Sequence, residues 1–147
     1  MDKFHKCTWD KELGRKKKYY IEELNPAHNH QQKAYIRANI LWRAKSCIAR
    51  LRTNFHQLHC ETGCWKRPKE VWEERVCIFC SSGKVETEKH FILECEAFKD
   101  NRENYADMLA SSSWDNLFSE WFVEKMGAFI LKLHRKRAKY IKQMKKQ

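Results

Sequence analysis

The sequence predicts a mostly α-helical small domain, and three observations carry that expectation. Glycine and proline are scarce, 4 and 2 residues in a chain of 147, whereas sandwiches and barrels require a turn every few residues. Two long stretches repeat apolar residues at spacings of three and four, the helical period. Six Trp and eight Phe, within a hydrophobic fraction of 42%, supply enough large apolar side chains for one core.

The elements follow in chain order. Residues 1–30 mix charges and histidines without a clear period and break at Asn25-Pro26. They read as a poorly defined basic N-terminal segment, and residues 31–147 as a single helical domain. From Gln31 to about Arg52 the pattern predicts a long helix. Ile40, Leu41, Ala44, Cys47, Ile48 and Leu51 share its apolar face. The sequence from Thr53 to Lys69 reads as a loop, and KEVWEER after Pro68 as a short helix. Ser81-Ser82-Gly83-Lys84 is turn chemistry. Thr87 is placed to cap a helix. Its stripe would run through Phe91, Cys95, Phe98, Arg102, Tyr105 and Leu109 to the break at Ser111-Ser112-Ser113. The last helix is the most regular. Trp114, Leu117, Phe118, Trp121, Phe122, Met126, Phe129, Ile130 and Leu133 form one stripe, and Tyr140, Ile141 and Met144 prolong it.

Charge narrows the class of function. The formal net charge is +11, which suits a polyanionic partner, most often RNA or DNA. The charge is segregated. Glu86 to Asp107 holds seven acids and three bases, whereas Leu131 to Gln147 holds eight bases and no acid. No apolar stretch approaches the roughly 18 residues of a membrane span, and no secretory h-region is visible at the start. Seven cysteines in such a chain point to a reducing intracellular compartment, nuclear or cytoplasmic, where cysteines bind metal or stay free.

The segment CIFCSSGKVETEKHFILEC carries the chemistry. Cys77, Cys80, His90 and Cys95 fall at C-x2-C-x9-H-x4-C. Thiolate and imidazole are the ligands zinc prefers, and four of them complete a tetrahedron with no position left for an activated water. The expectation is one structural Zn2+. His90 and Cys95 would lie about 140° apart on an ideal helix, so their convergence requires a distorted first turn. Three thiolates leave the loaded site negative, and Lys84 and Lys89 are placed to soften it. His56, His59, Cys60 and Cys64 form a weaker second candidate, crowded on one loop with no facing pair. Cys7 reads as a free surface thiol and Cys47 as a small core residue.

Further residues around this motif carry a resemblance. They are Arg50-Leu51-Arg52-Thr53, His56, Glu61-Thr62-Gly63, Arg67-Pro68, Glu74-Arg75-Val76-Cys77, Cys80, Val85-Glu86, His90-Phe91, Cys95 and Arg102. In this order they resemble the region that follows the polymerase in LINE-type (non-LTR) retrotransposon reverse transcriptases. The resemblance covers about residues 45–110. It implies a CCHC zinc module, with Cys77, Cys80, His90 and Cys95 as ligands, that helps to hold template RNA or target DNA. It implies no catalysis by this chain, which is far too short to contain the polymerase. Tyr105-Ala106-Asp107-Met108 is similar to a polymerase box but has Met108 where a second metal-holding Asp is needed.

The expected architecture is therefore a small helical domain organised around one CCHC zinc loop-helix unit, with long N- and C-terminal helices. Arg37, Arg43, Lys45, Arg50, Arg52, Lys66, Arg67 and Lys69 form the expected phosphate-binding face. Trp65 and Trp72 read as core residues, with stacking on unpaired bases as the alternative. The basic end of the last helix has several readings: it binds RNA, it packs near the acidic helix after the zinc motif, or, as a basic amphipathic helix, it lies on a membrane or binds a calmodulin-like partner. The competing classes are a structural or protein-interaction module of a larger complex, and a decayed fragment without selected function.

Overall fold

The computed structural model describes residues 34–110, Leu117 and residues 122–146. The expectations for residues 1–30, Cys7 among them, and for Trp114, Phe118 and Trp121 lie outside the described residues. The described chain is mostly helical and contains no β-strand; Val76 and Val85 form one isolated antiparallel bridge. Helix α1 spans Ala34–Arg37, α2 Trp42–Arg52, α3 His59–Thr62, α4 Lys99–Glu103, α5 Ala106–Ala110 and α6 Val123–Met144.

The long helix expected from Gln31 to Arg52 is interrupted. Leu41 sits at φ −52°, ψ 135°, an extended conformation between α1 and α2. The break takes Leu41 off the apolar stripe and leaves it exposed. It also brings Ile40 against α6, where the Ile40 Cδ1 lies 3.1 Å from where a Cβ on Gly127 would be. Lys45 Nζ donates to the Ile36 carbonyl at 2.8 Å and satisfies the end of α1. Tertiary packing overrides a continuous helical pattern here. The absence of a side chain at Gly127 lets α2 approach α6 closely, with Ala44 and Ile48 over the same spot.

Helix α6 bears out its periodicity. Met126, Phe129, Ile130 and Leu133 are fully buried, and Ala44, Ile48 and Leu51 of α2 pack into the same core. The stripe fades along the basic end, where Tyr140 and Ile141 are half-buried and Met144 is exposed. The helix expected after Thr87 is instead a series of short turns. A π-helical turn spans His90–Glu94, a 3-10 turn Glu96–Phe98, and α4 and α5 follow. Phe91, Cys95 and Phe98 still reach the core. Phe91 meets Phe98 edge to face at 5.1 Å, and Phe79 lies within 6.1 Å of both Phe98 and Tyr140. These rings dock the cysteine-rich unit onto the C-terminal half of α6.

Candidate metal centre

The backbone from Arg75 to Glu86 forms a tight turned-back loop. Cys77 N–H donates to Lys84 O at 2.8 Å and Glu86 N–H donates to Arg75 O at 3.0 Å. Between them the chain reverses through Ser81-Ser82-Gly83. Gly83 takes φ +66°, which a residue with a Cβ adopts only under strain. Thr87 caps the following turn as its position predicts: its Oγ1 accepts His90 N–H at 3.1 Å.

The distortion that the ligand spacing requires is a π turn. Cys95 N–H donates to His90 O at 2.7 Å, an i to i+5 bond. The extra residue in the turn returns position 95 to the side of position 90. Cys95 then leaves the turn at φ −60°, ψ 119°. The ligand atoms of Cys77, Cys80, His90 and Cys95 consequently lie within 4.8 Å of one another, close enough to bind one metal ion. Cys77 Sγ is 3.7 Å from Cys95 Sγ, and Cys80 Sγ is 3.4 Å from His90 Nε2. An ion with sulfur ligands at about 2.3 Å and tetrahedral angles holds those sulfurs about 3.8 Å apart.

Electrostatics fits a cation at the centre. The contact with Cys95 pulls the Cys77 thiol down, while the same contact and burial push Cys95 up. Only one of this pair then ionises readily, and a metal ion displaces the remaining proton. His90 offers Nε2 to the cluster, and its buried Nδ1 has no hydrogen bond. The Glu94 carboxylate is 3.7 Å from that Nδ1 and is held by Lys84 Nζ at 2.9 Å. A carboxylate behind a ligating imidazole fixes its ring and raises its basicity. Of the two lysines expected to moderate the charge, Lys84 acts through Glu94, and Lys89 is exposed. Glu94 was missed in the sequence, although its i+4 position relative to His90 marks it.

The weaker second candidate set separates. His59 pairs with Val76 O and with Glu70, both at 2.8 Å. Cys64 Sγ accepts from Arg75 Nη1 at 2.9 Å. His56 and Cys60 instead come together with Glu88. Gly63 leaves room for the side chains that hold His59 and Cys64, since a Cβ there would meet Glu70 Oε2 at 2.6 Å and the Arg75 side chain at 2.7 Å.

The expected basic face is only partly exposed. Arg37, Arg43, Arg50, Lys66, Arg67 and Lys69 face solvent, and Lys45 is half-buried. Arg52 is a correction: it is 4% exposed, with its guanidinium over the Tyr35 ring, because the α2 stripe rotates it inward. The tryptophans are a second correction. Trp65 is 54% and Trp72 44% exposed. Trp65 sits in a loop closed by Glu70 N–H donating to Gly63 O at 3.2 Å, and Trp72 opens the 3-10 turn Trp72–Glu74 that follows; both rings lie outside the core. The basic end of α6 packs against acidic residues. Arg137 binds Glu86 through two hydrogen bonds, at 2.9 and 3.0 Å, and donates to Gln57 O at 2.8 Å. Lys136 lies 3.6 Å from Asp100. At the polymerase-like tetrad, Met108 is buried in α5 and Tyr105 packs on Phe129 with ring centroids 4.9 Å apart.

No described helix is long and apolar enough to cross a membrane. Comparisons with family models, curated proteins and solved structures find no match to this chain.

Proposed function

We propose that this chain is a non-catalytic, zinc-stabilised module that binds single-stranded RNA or DNA. In this reading Cys77, Cys80, His90 and Cys95 hold one structural Zn2+, and the module corresponds to the post-polymerase region of a LINE-type reverse transcriptase. The observation that carries the binding reading is the exposed segment Trp65-Lys66-Arg67-Pro68-Lys69 with Trp72 beside it. Rings of this kind stack on unpaired bases whatever their identity, and flanking cations contact phosphates. Trp42, 71% exposed with Arg43 over its ring, repeats the combination on α2.

Fluorescence anisotropy with a labelled single-stranded RNA tests the reading. Affinity is expected to fall steeply between low and moderate salt as counterion release is lost. Trp65→Ala and Trp72→Ala are each expected to weaken binding by about 1–3 kcal/mol. Negligible affinity at low salt would refute it.

The runner-up is a protein-interaction module. It draws on exposed apolar residues that do not stack on bases, Leu41, Val71 and Ile78. A stable protein partner covering these residues and the basic face would favour it.

A further inference from the structure

We propose that His56, Cys60 and Glu88 form a second binding site for a divalent metal ion of the zinc class. The three residues come from separate places in the fold: the loop after α2, helix α3, and the turn that opens on Thr87. Their ligand atoms nevertheless lie within 4.8 Å of one another. All three are buried, at 2%, 6% and 8% exposure. Thiolate, imidazole and carboxylate together are a donor set that zinc accepts, and three protein ligands leave a further position for an exogenous one.

The placement of the carboxylate suits an ion. Glu88 is a buried carboxylate whose hydrogen-bond partner among the described residues is His56 Nε2. A buried carboxylate calls for a cation or hydrogen-bond donors around it, and an ion at this point would meet His56, Cys60 and Glu88 together. The buried carboxylate of Glu86 nearby is already matched by Arg137. The structure also shows what loading would change. His56 Nδ1 accepts Leu58 N–H at 3.3 Å, which holds the ring with Nε2 toward Glu88. A metal at Nε2 would take the place of the direct His56–Glu88 contact.

The site is separate from the Cys77 cluster but mechanically joined to it. Glu88 and His90 lie on the same turn, so each ion would fix one side of residues 87–90. Sequence spacing finds His56 and Cys60 but gives no reason to join them to a carboxylate 28 residues beyond Cys60.

Cobalt titration of the metal-free full chain, read by visible absorption, tests the site. Wild-type protein is expected to bind two equivalents, the second adding the charge-transfer absorption of a single thiolate. In Cys60→Ser that increment disappears and the stoichiometry falls to one. In Glu88→Gln the second equivalent binds more weakly while the first is unchanged. Circular dichroism checks that both variants fold. Should they unfold, the wild-type titration decides alone. A single equivalent, or a Cys60→Ser spectrum superposable on wild type, overturns the proposal and leaves the Cys77 cluster with its own equivalent.

Discussion

Helices α2 and α6 meet through Ala44, Ile48, Leu51, Met126, Phe129 and Ile130, apolar side chains at helical spacing around a glycine. Residues 56–98 are built differently. Their α-helix is the four-residue α3, and the rest is turns, one bridge and a π turn. Of the nine buried polar or charged residues described, six lie in this stretch: His56, Glu61, Arg75, Glu86, Glu88 and His90. The comparison shows two ways of fixing a chain. Non-directional burial suffices where a helix already satisfies its own backbone. A turn-rich segment relies on directional bonds to choose one conformation, so it is more sensitive to losing a single partner.

Metal removal is the largest test of that contrast. Structural zinc contributes about 10–16 kcal/mol of apparent binding energy in small metal-dependent domains. Chelation, or Cys77→Ser, is expected to abolish amide-exchange protection around residues 76–95 and to leave more of the protection in α2 and α6. Equal loss in both regions would break the contrast.

The buried Arg137–Glu86 pair spans the two regions, 51 residues apart in sequence. Arg137→Ala strands a carboxylate that is 1% exposed and is expected to cost about 3–5 kcal/mol. Phe129→Ala, a pure cavity change within the helical pair, is expected to cost about the same. The two differ in their rescue. Adding Glu86→Gln should recover part of the Arg137→Ala loss and none of the Phe129→Ala loss, as denaturant midpoints would show.

A pH measurement sharpens the boundary further. Burial, and then the Arg137 guanidinium, push the His134 imidazole down to about 4, against 6.5 when free. Its Nε2 is buried without a partner. The unfolded chain therefore binds this proton more readily than the folded one. The contribution of neutral His134 is complete above pH 6.5 and is lost progressively as pH falls toward 4. Its ceiling is about 3 kcal/mol. His134→Gln should flatten this part of the profile, measured as wild type minus variant, and an unchanged profile would assign the acid sensitivity elsewhere. The smallest effect belongs to Lys84→Ala. Its bond to Glu94 lies at the surface, 61% and 36% exposed at the two side chains, so the expected change is about 0–1 kcal/mol.

Several residues that carry the retrotransposon resemblance are the buried polar ones: Arg52, His56, Glu61, Arg75, Glu86 and His90. As a string in the sequence they have no visible partners. In the structure Arg75 donates to the carbonyls of Cys60 and Glu70, and Glu86 accepts from Arg137 and from His59 N–H. Arg75 and Glu86 thus hold the frame of the cysteine-rich loop. Arg52, expected on a phosphate-binding face, stands inside over the Tyr35 ring.

The sequence alone determined the helical class, the Thr87 cap, the four clustered ligands and the buried stripe of α6. The stripe and the cap depend on spacing within one element, and the Cys/His cluster on two short spacings joined by one turn, all set by the local geometry of the chain. Only the tertiary structure decided the break before α2, the exposure of Trp65 and Trp72, the joining of His56 and Cys60 to Glu88, and the Arg137–Glu86 pair. Those depend on which distant surfaces meet, and no local period encodes that. The π turn stands between the two. The ligand spacing required a distortion, and the fold supplied it as one i to i+5 bond.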